Sequence, residues 1–315
     1  MPFRSSLVRS AGKLFGVFKE KDLDLRGASQ TDRLYRHSGP ITATGGNKYT
    51  PGDGYIYHTF VNSMNSTPDG VFSQSAGGAT VEVLIVAGGG GGGGGHYGGG
   101  GGGGGILEGN VPLHQPGTYT ITVGAGGAGG INKSGTAVNG VNSSFDTVTA
   151  LGGGSGGSGP GTNDSGGNGG SGGGSSYYVH PGVGAASPQP APGDYTSYGN
   201  DGGSSQTPGY TGGGGGGAGA ASVGNAAGDG QAFPIWPSSV IPILTPLNPV
   251  MGASNNTYGG GGGGAPAGTA GVGGGGAVAG AGSDYLGGGG GGSPSNSAPG
   301  GAGGDGIVLI RYSAT

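Results

Sequence analysis

The stretch TVEVLIVAGGGGGGGG, from Thr80 to Gly95, sets two kinds of backbone side by side. Thr80 to Ala87 is almost unbroken in apolar residues, which predicts a strand covered on both faces. It runs directly into eight consecutive glycines, which have no side chain to bury and lose the most conformational freedom on ordering. Any fold for this chain has to hold both.

Working outward, DGYIYHTF (Asp53–Phe60) alternates Tyr55, Tyr57 and Thr59 against Ile56, His58 and Phe60 and predicts a strand. The turn signal STPDG (Ser66–Gly70) leads into Val71 and Phe72 and predicts a hairpin with it. GTYTITVG (Gly117–Gly124), SSFDTVTAL (Ser143–Leu151) and GIVLIRY (Gly306–Tyr312) read as further strands. Residues 152–305 show no strand pattern and nothing of helical length. Strands therefore bracket the glycine region, and its two ends are expected to meet in one sheet. The expected core strands lie near 53–61, 70–73, 80–87, 117–124, 143–151 and 306–312, with a polyglycine insertion over 152–305.

Composition excludes an ordinary globular enzyme. Glycine supplies 93 of 315 residues, roughly 30 per cent against a usual ~7. Hydrophobic residues are 31% and charged residues 8%, where typical domains carry about 45–50 and about 25. A formal charge of -4 is too weak a field to point to nucleic acid as a partner. Without cysteine there is no disulfide framework and no thiolate metal site. No apolar run approaches the roughly 20 residues of a membrane span. The glycine runs Gly88–Gly95 and Gly98–Gly105 are uninterrupted, so the every-third-residue period of collagen is absent.

Residues 1–40 form a separate module. They carry eight basic and four acidic side chains, a net +4 that leaves −8 for the rest of the chain. Phe3, Leu7, Phe15 and Phe18 are interspersed with Arg4, Arg9 and Lys13. No apolar core of 7–15 residues follows the first charges, so the opening does not read as a secretory signal. The preferred reading is an arm that wraps onto a partner protein through Phe3, Arg4, Leu7, Arg9, Lys13, Phe15 and Phe18. A transit peptide, a short amphipathic helix on a membrane surface and a solvated tail are the alternatives.

Two readings of the glycine runs stand against each other. As isolated runs they are flexible linkers. Packed together, extended left-handed threefold helices rising about 3.1 Å per residue can exchange N–H···O=C bonds on every side, because no side chain holds them apart. The expected class is thus mainly β with extensive polyglycine II, a small β-sandwich-like core bracketing a bundle of glycine-rich rods and loops. Connectors between the runs carry His96 and Tyr97; Tyr177, Tyr178 and His180; Tyr195 and Tyr198; Phe233 and Trp236; Tyr258; and Tyr285. Aromatic rings with Ser, Asn and Gly suit binding surfaces, and loops on a rigid base are where binding usually resides. The same aromatics could instead cap the run ends.

Catalytic patterns are missing. The five histidines have no metal-ligand spacing, the carboxylates show no acid–base pairing, and the many GxGxxG strings lack a following helix. No enzyme activity, cofactor or metal is expected.

The ordered set GDGYIYHTF, GVFSQSAGGATVEVLIVAGGGGGG, PGTYTITVGAGGAG, NSSFDTVTALGGG and GGDGIVLIRY resembles the glycine-rich domain common in bacteriophage tail-fibre and other virion proteins, over about residues 53–315. It is also similar to glycine-rich tail-tip adhesins, in which polyglycine rods form a layered bundle and variable connectors contact the host. The resemblance implies a virion structural protein, a tail fibre or tail-associated adhesin, on the surface of the phage particle. Its partners would be other virion proteins through residues 1–40 and a host surface receptor, a glycan or an outer-surface protein, with a homotrimer as one candidate assembly. A head fibre, decoration protein or neck/tail accessory protein without a receptor is the alternative. A secreted glycine-rich wall protein is disfavoured by the opening sequence.

Overall fold

The structure, a computed structural model, describes residues 40–62, 70–113, 116–132, 136–159, 164–177, 185–187, 189–206, 210–236 and 256–314. Within them lie thirteen strands and no α-helix: β1 Thr42–Thr44, β2 Asn47–Tyr49, β3 Tyr55–Val61, β4 Gly70–Ala76, β5 Ala79–Val86, β6 Ile106–Leu113, β7 Gly117–Thr122, β8 Ser143–Phe145, β9 Val148–Ala150, β10 Tyr195–Tyr198, β11 Gln231–Ala232, β12 Thr257–Tyr258 and β13 Ile307–Ser313. They form a five-stranded sheet in the order β1-β4-β7-β8-β9, a six-stranded sheet β10-β6-β5-β13-β3-β2, and the pair β11-β12.

The two large sheets face each other across one apolar core. Val81, Val83 and Ile85 of β5 and Val308, Ile310 and Tyr312 of β13 meet Phe72, Ile121 and Phe145 from the opposing sheet. The alternate residues of the same strands, Leu84, Val86, Ile307 and Leu309, point the other way into a second core. This is the period-two signature of strands buried on both faces. Fully burying each such side chain contributes about 1.5–3 kcal/mol. β13 lies between β3 and β5, with Ile310 opposite both His58 and Val83, so the two ends of the glycine region do meet in one sheet.

Three expectations change. The hairpin predicted across STPDG does not form: β3 joins β2 and β13, whereas β4 joins β1 and β7 in the other sheet. β3 is buried on both faces over Tyr57–Phe60, while β4 buries only Phe72 and Gln74, so one suits the doubly covered sheet and the other the outer one. The strand expected over 143–151 is two, β8 and β9, joined at Asp146, which has a φ of 51°. Finally, residues 106–113 and three short stretches of 152–305 are strands, β6 and β10 to β12; Gly109, Asn110 and Pro112 mask the first of these.

β5 and β6 are the arms of a long hairpin. In the sheet Val86 sits opposite Ile106. Beyond it the same register continues into the glycine runs, with the N–H groups of Ala87, Gly90 and Gly93 donating to the carbonyls of Gly105, Gly102 and Gly99. His96 and Tyr97 are the turn of this hairpin.

Within the glycine block the bonding repeats every three residues. The N–H groups of Gly88 and Gly91 go to Val141 and Val138, those of Gly89 and Gly92 to Gly304 and Gly301, and those of Gly90 and Gly93 to Gly102 and Gly99. The carbonyls of the same residues accept in rotation from Gly153 and Gly156, from Gly127 and Gly130, and from Gly290 and Ser293. All twelve bonds are 2.8–3.1 Å, so this buried run meets its backbone polar groups with six neighbouring segments. A Cβ at Gly92 would lie 2.1 Å from the Gly291 carbonyl oxygen, and one at Gly101 2.1 Å from that of Gly90. Glycine is therefore required by close approach of backbone to backbone. At the edge of the block, Asn139 and Asn142 accept from the N–H groups of Ser155 and Gly152, both at 2.8 Å, keeping the spacing of three with side-chain oxygens.

Candidate functional site

The glycine runs leave the sheet and come back, so their connectors fall at two ends. At the end remote from the sheet, His96 and Tyr97 turn the β5–β6 hairpin with their rings 4.4 Å apart and nearly perpendicular. Tyr97 is held at a φ of 49°, in the left-handed region. Its carbonyl accepts from the Tyr177 N–H at 3.2 Å. The Tyr177 ring meets Tyr210 edge-on at 5.0 Å, and Tyr210 is 59% exposed. His96, Tyr97 and Tyr177 are thereby brought together with Tyr210, a residue that sequence reasoning missed. The signal was there in QTPGY, a turn sequence ending on an aromatic between two glycine-rich stretches. Tyr178 and His180 lie outside the described residues, as do the arm positions Phe3, Arg4, Leu7, Arg9, Lys13, Phe15 and Phe18.

The other connectors return to the sheet, and the expectation that they are displayed loops is corrected by their burial. Phe233, Trp236, Tyr258 and Leu286 pack on Leu84, Val86, Ile106, Ile307 and Leu309. Trp236 and Tyr258 are completely buried, the Tyr258 hydroxyl donating to the Trp236 carbonyl at 3.3 Å. Tyr198 meets Phe233 edge-on at 5.1 Å, and Tyr285 is half-buried against the same core. The physical reason lies in β5 and β13: a sheet apolar on both faces needs a cover on its outer side, and these aromatics supply it.

A polar clamp fastens this cover. The Arg311 guanidinium donates to Glu82 Oε2 at 2.7 and 3.0 Å and to the Ile235 carbonyl at 2.7 Å. It also lies over the rings of Tyr55, at 4.3 Å, and Trp236, at 5.3 Å, an arrangement favoured by the ring quadrupole. Burial raises the pKa of the Tyr258 hydroxyl well above its ordinary value. In the first core His58 is buried, its Nδ1 2.7 Å from the Gly45 carbonyl oxygen and its Nε2 3.1 Å from the Tyr312 hydroxyl. Desolvation lowers its pKa, so the imidazole is held neutral.

Tyr195, on the β10 edge, belongs to neither connector cluster. Its ring lies across Gly109, where a Cβ would come within 2.7 Å of it. Burial, with the Asp146 carboxylate adding to it, pushes its hydroxyl pKa up to about 12.

Among the described residues no group of three His, Asp or Glu is placed to hold a metal ion, and no helix is long and apolar enough to cross a membrane. None of the curated proteins compared with the sequence matches it. A family model described as a glycine-rich domain matches residues 65–313, from the approach to β4 through the whole glycine block to the end of β13, and the chain belongs to that family.

Proposed function

We propose that this chain is a bacteriophage virion structural protein, a tail-fibre or tail-associated adhesin. It holds other virion proteins through residues 1–40 and presents a host-binding surface at the remote end of the glycine block. In this reading the block is a bundle of polyglycine II rods and works as a rigid spacer without enzymatic activity. The observation that carries it is the three-residue hydrogen-bond rotation around Gly88–Gly93, the repeat of a threefold extended helix. Eight residues at about 3.1 Å each set the His96–Tyr97 turn about 25 Å from the sheet. A turn held at that distance by a lattice of backbone bonds offers aromatic rings at little further loss of freedom. The receptor, a glycan or an outer-surface protein, would meet His96, Tyr97 and Tyr210, with the buried Tyr177 ring backing Tyr210 from beneath.

The test is saturable binding of the full chain to whole host cells. The variant Tyr97→Asn/Tyr210→Asn keeps residues that tolerate the left-handed backbone found at both positions and should lose binding at least about tenfold. Absence of saturable binding by the wild-type chain, or equal binding by the variant, would leave only a non-adhesive virion role such as a head fibre, decoration protein or neck/tail accessory. Particles that still incorporate a chain lacking residues 1–40 would remove the anchoring role.

A further inference from the structure

At the open edge of the sandwich, where β6 and β10 of one sheet face β8 and β9 of the other, lies a cleft of about 290 Å³. It is bounded by β6 at Asn110–Pro112, by Tyr119 of β7, by the β8–β9 turn at Phe145–Val148, and by the Pro192–Tyr195 turn that enters β10. Neither connector cluster reaches it. The Tyr119 and Phe145 rings in its lining are stacked, 5.5 Å apart and 13° from parallel. Asp146 and Asp194 also line it, and among the described residues neither carboxylate has an ion-pair partner. Two features hold this lining in place: Asp146 donates its N–H to the Thr120 carbonyl at 2.8 Å, and Tyr195 donates its own to Pro192 at 3.1 Å.

We infer that this cleft is a binding site for a single saccharide ring. A pyranose has one face made largely of C–H groups, which suits the aromatic and proline lining, and a rim of hydroxyls that need acceptors, which Asp146 and Asp194 supply as carboxylates. The Asn110 carboxamide adds donors and an acceptor of its own. Tyr195 contributes the independent observation: its hydroxyl is buried and makes no hydrogen bond. A buried hydroxyl without a partner is disfavoured, and a small tilt of this lining ring toward a bound hydroxyl would satisfy it. The volume falls near the small end of ligand sites, enough for one ring and too little for a chain of them. The inference stands apart from the adhesin reading, since the cleft would take a sugar whatever the remote connectors bind.

Saturation-transfer NMR on the full chain tests it, with the methyl glycosides of glucose, galactose and N-acetylglucosamine each to about 10 mM, a range that detects millimolar affinity. Cyclohexylammonium serves as an apolar cation of similar size. At least one glycoside should bind, and Asp194→Asn, at an exposed turn position, should weaken it about fivefold, because a neutral carboxamide oxygen replaces the charged acceptor. Tyr119→Leu should abolish it, and Val223→Ser, at an exposed position outside the cleft, should leave it unchanged. If Tyr119→Leu fails to fold, Asp194→Asn decides alone. No transfer to any glycoside, binding of cyclohexylammonium alone, or binding untouched by Asp194→Asn would each overturn the inference.

Discussion

The sandwich and the glycine block solve the same problem by opposite means. In the sandwich, backbone groups pair within a sheet and side chains fill the space between sheets, so the repeat is two residues and the neighbours are set by side-chain volume. In the block there is nothing to fill: a run is surrounded by six others at hydrogen-bonding distance and the repeat is three. The β5–β6 hairpin belongs to both regions, passing from Val86 opposite Ile106 to Gly93 bonded to Gly99 without a change of register. Solidity in a protein therefore needs close packing and satisfied polar groups, and a greasy interior is only one way to obtain them.

The sharpest way to break this contrast is to add one methyl group. Gly92→Ala places a Cβ 2.1 Å from a backbone oxygen that has no rotamer to escape into, and is expected to cost about 4 kcal/mol or more, among the largest single-residue effects. Val83→Ala, which removes methyls from the sandwich core, should cost less, about 2–3 kcal/mol. Denaturant unfolding of both variants measures the difference; a Gly92→Ala cost below about 1 kcal/mol would mean that the block yields easily and is not close-packed.

The seam between the regions is the next target. Trp236→Ala removes the largest side chain of the second core and is expected to cost about 3–4 kcal/mol. Its effect should be local: amide exchange should quicken in the glycine runs that return to the sheet while Val81–Val86 stays protected. Equal loss in both regions would show that they unfold as one unit.

The smallest effect concerns pH and belongs to the sandwich alone. Because burial lowers the His58 pKa below its ordinary 6.5, the folded state keeps the ring neutral while the unfolded chain takes up a proton. The stabilisation is fully present above pH 6.5 and is lost as pH falls from there through the folded value. The urea midpoint should fall between about pH 7 and about pH 5, and the fall should shrink in His58→Gln. Exchange protection of the glycine runs should not follow it.

How much of this was legible in the sequence depends on what carried the signal. Side-chain periodicity located β3, β5, β7 and β13, and the bracketing of the glycine region correctly placed β13 beside the early strands. β6 was hidden because Gly109 is covered by the Tyr195 ring of a strand far along the chain, and no local pattern shows a tertiary neighbour. The hairpin expected at STPDG failed for a related reason: a turn motif fixes a change of direction but does not say which sheet the next strand joins. For the candidate site, the connector residues were recognised by type but not by end. The alternation of outward and returning runs decides that Tyr97 turns a hairpin far from the sheet while Trp236 is buried on it, and that alternation is a property of topology. Tyr210 was passed over because Gln206–Tyr210 is short and its partner Tyr177 is thirty-three positions away.

Bonds that rotate through three directions give the backbone something like a reading frame. One extra residue between Gly92 and Gly93 would turn every later N–H in the run toward the wrong neighbour, whereas three extra residues in each arm would keep the two arms bonded to each other one turn further on, and three in each neighbouring segment would restore the whole pattern. Length in this part of the molecule is thus quantised, and a chain built this way can lengthen its reach only in triplet steps, while the turn at the far end stays free to change its letters.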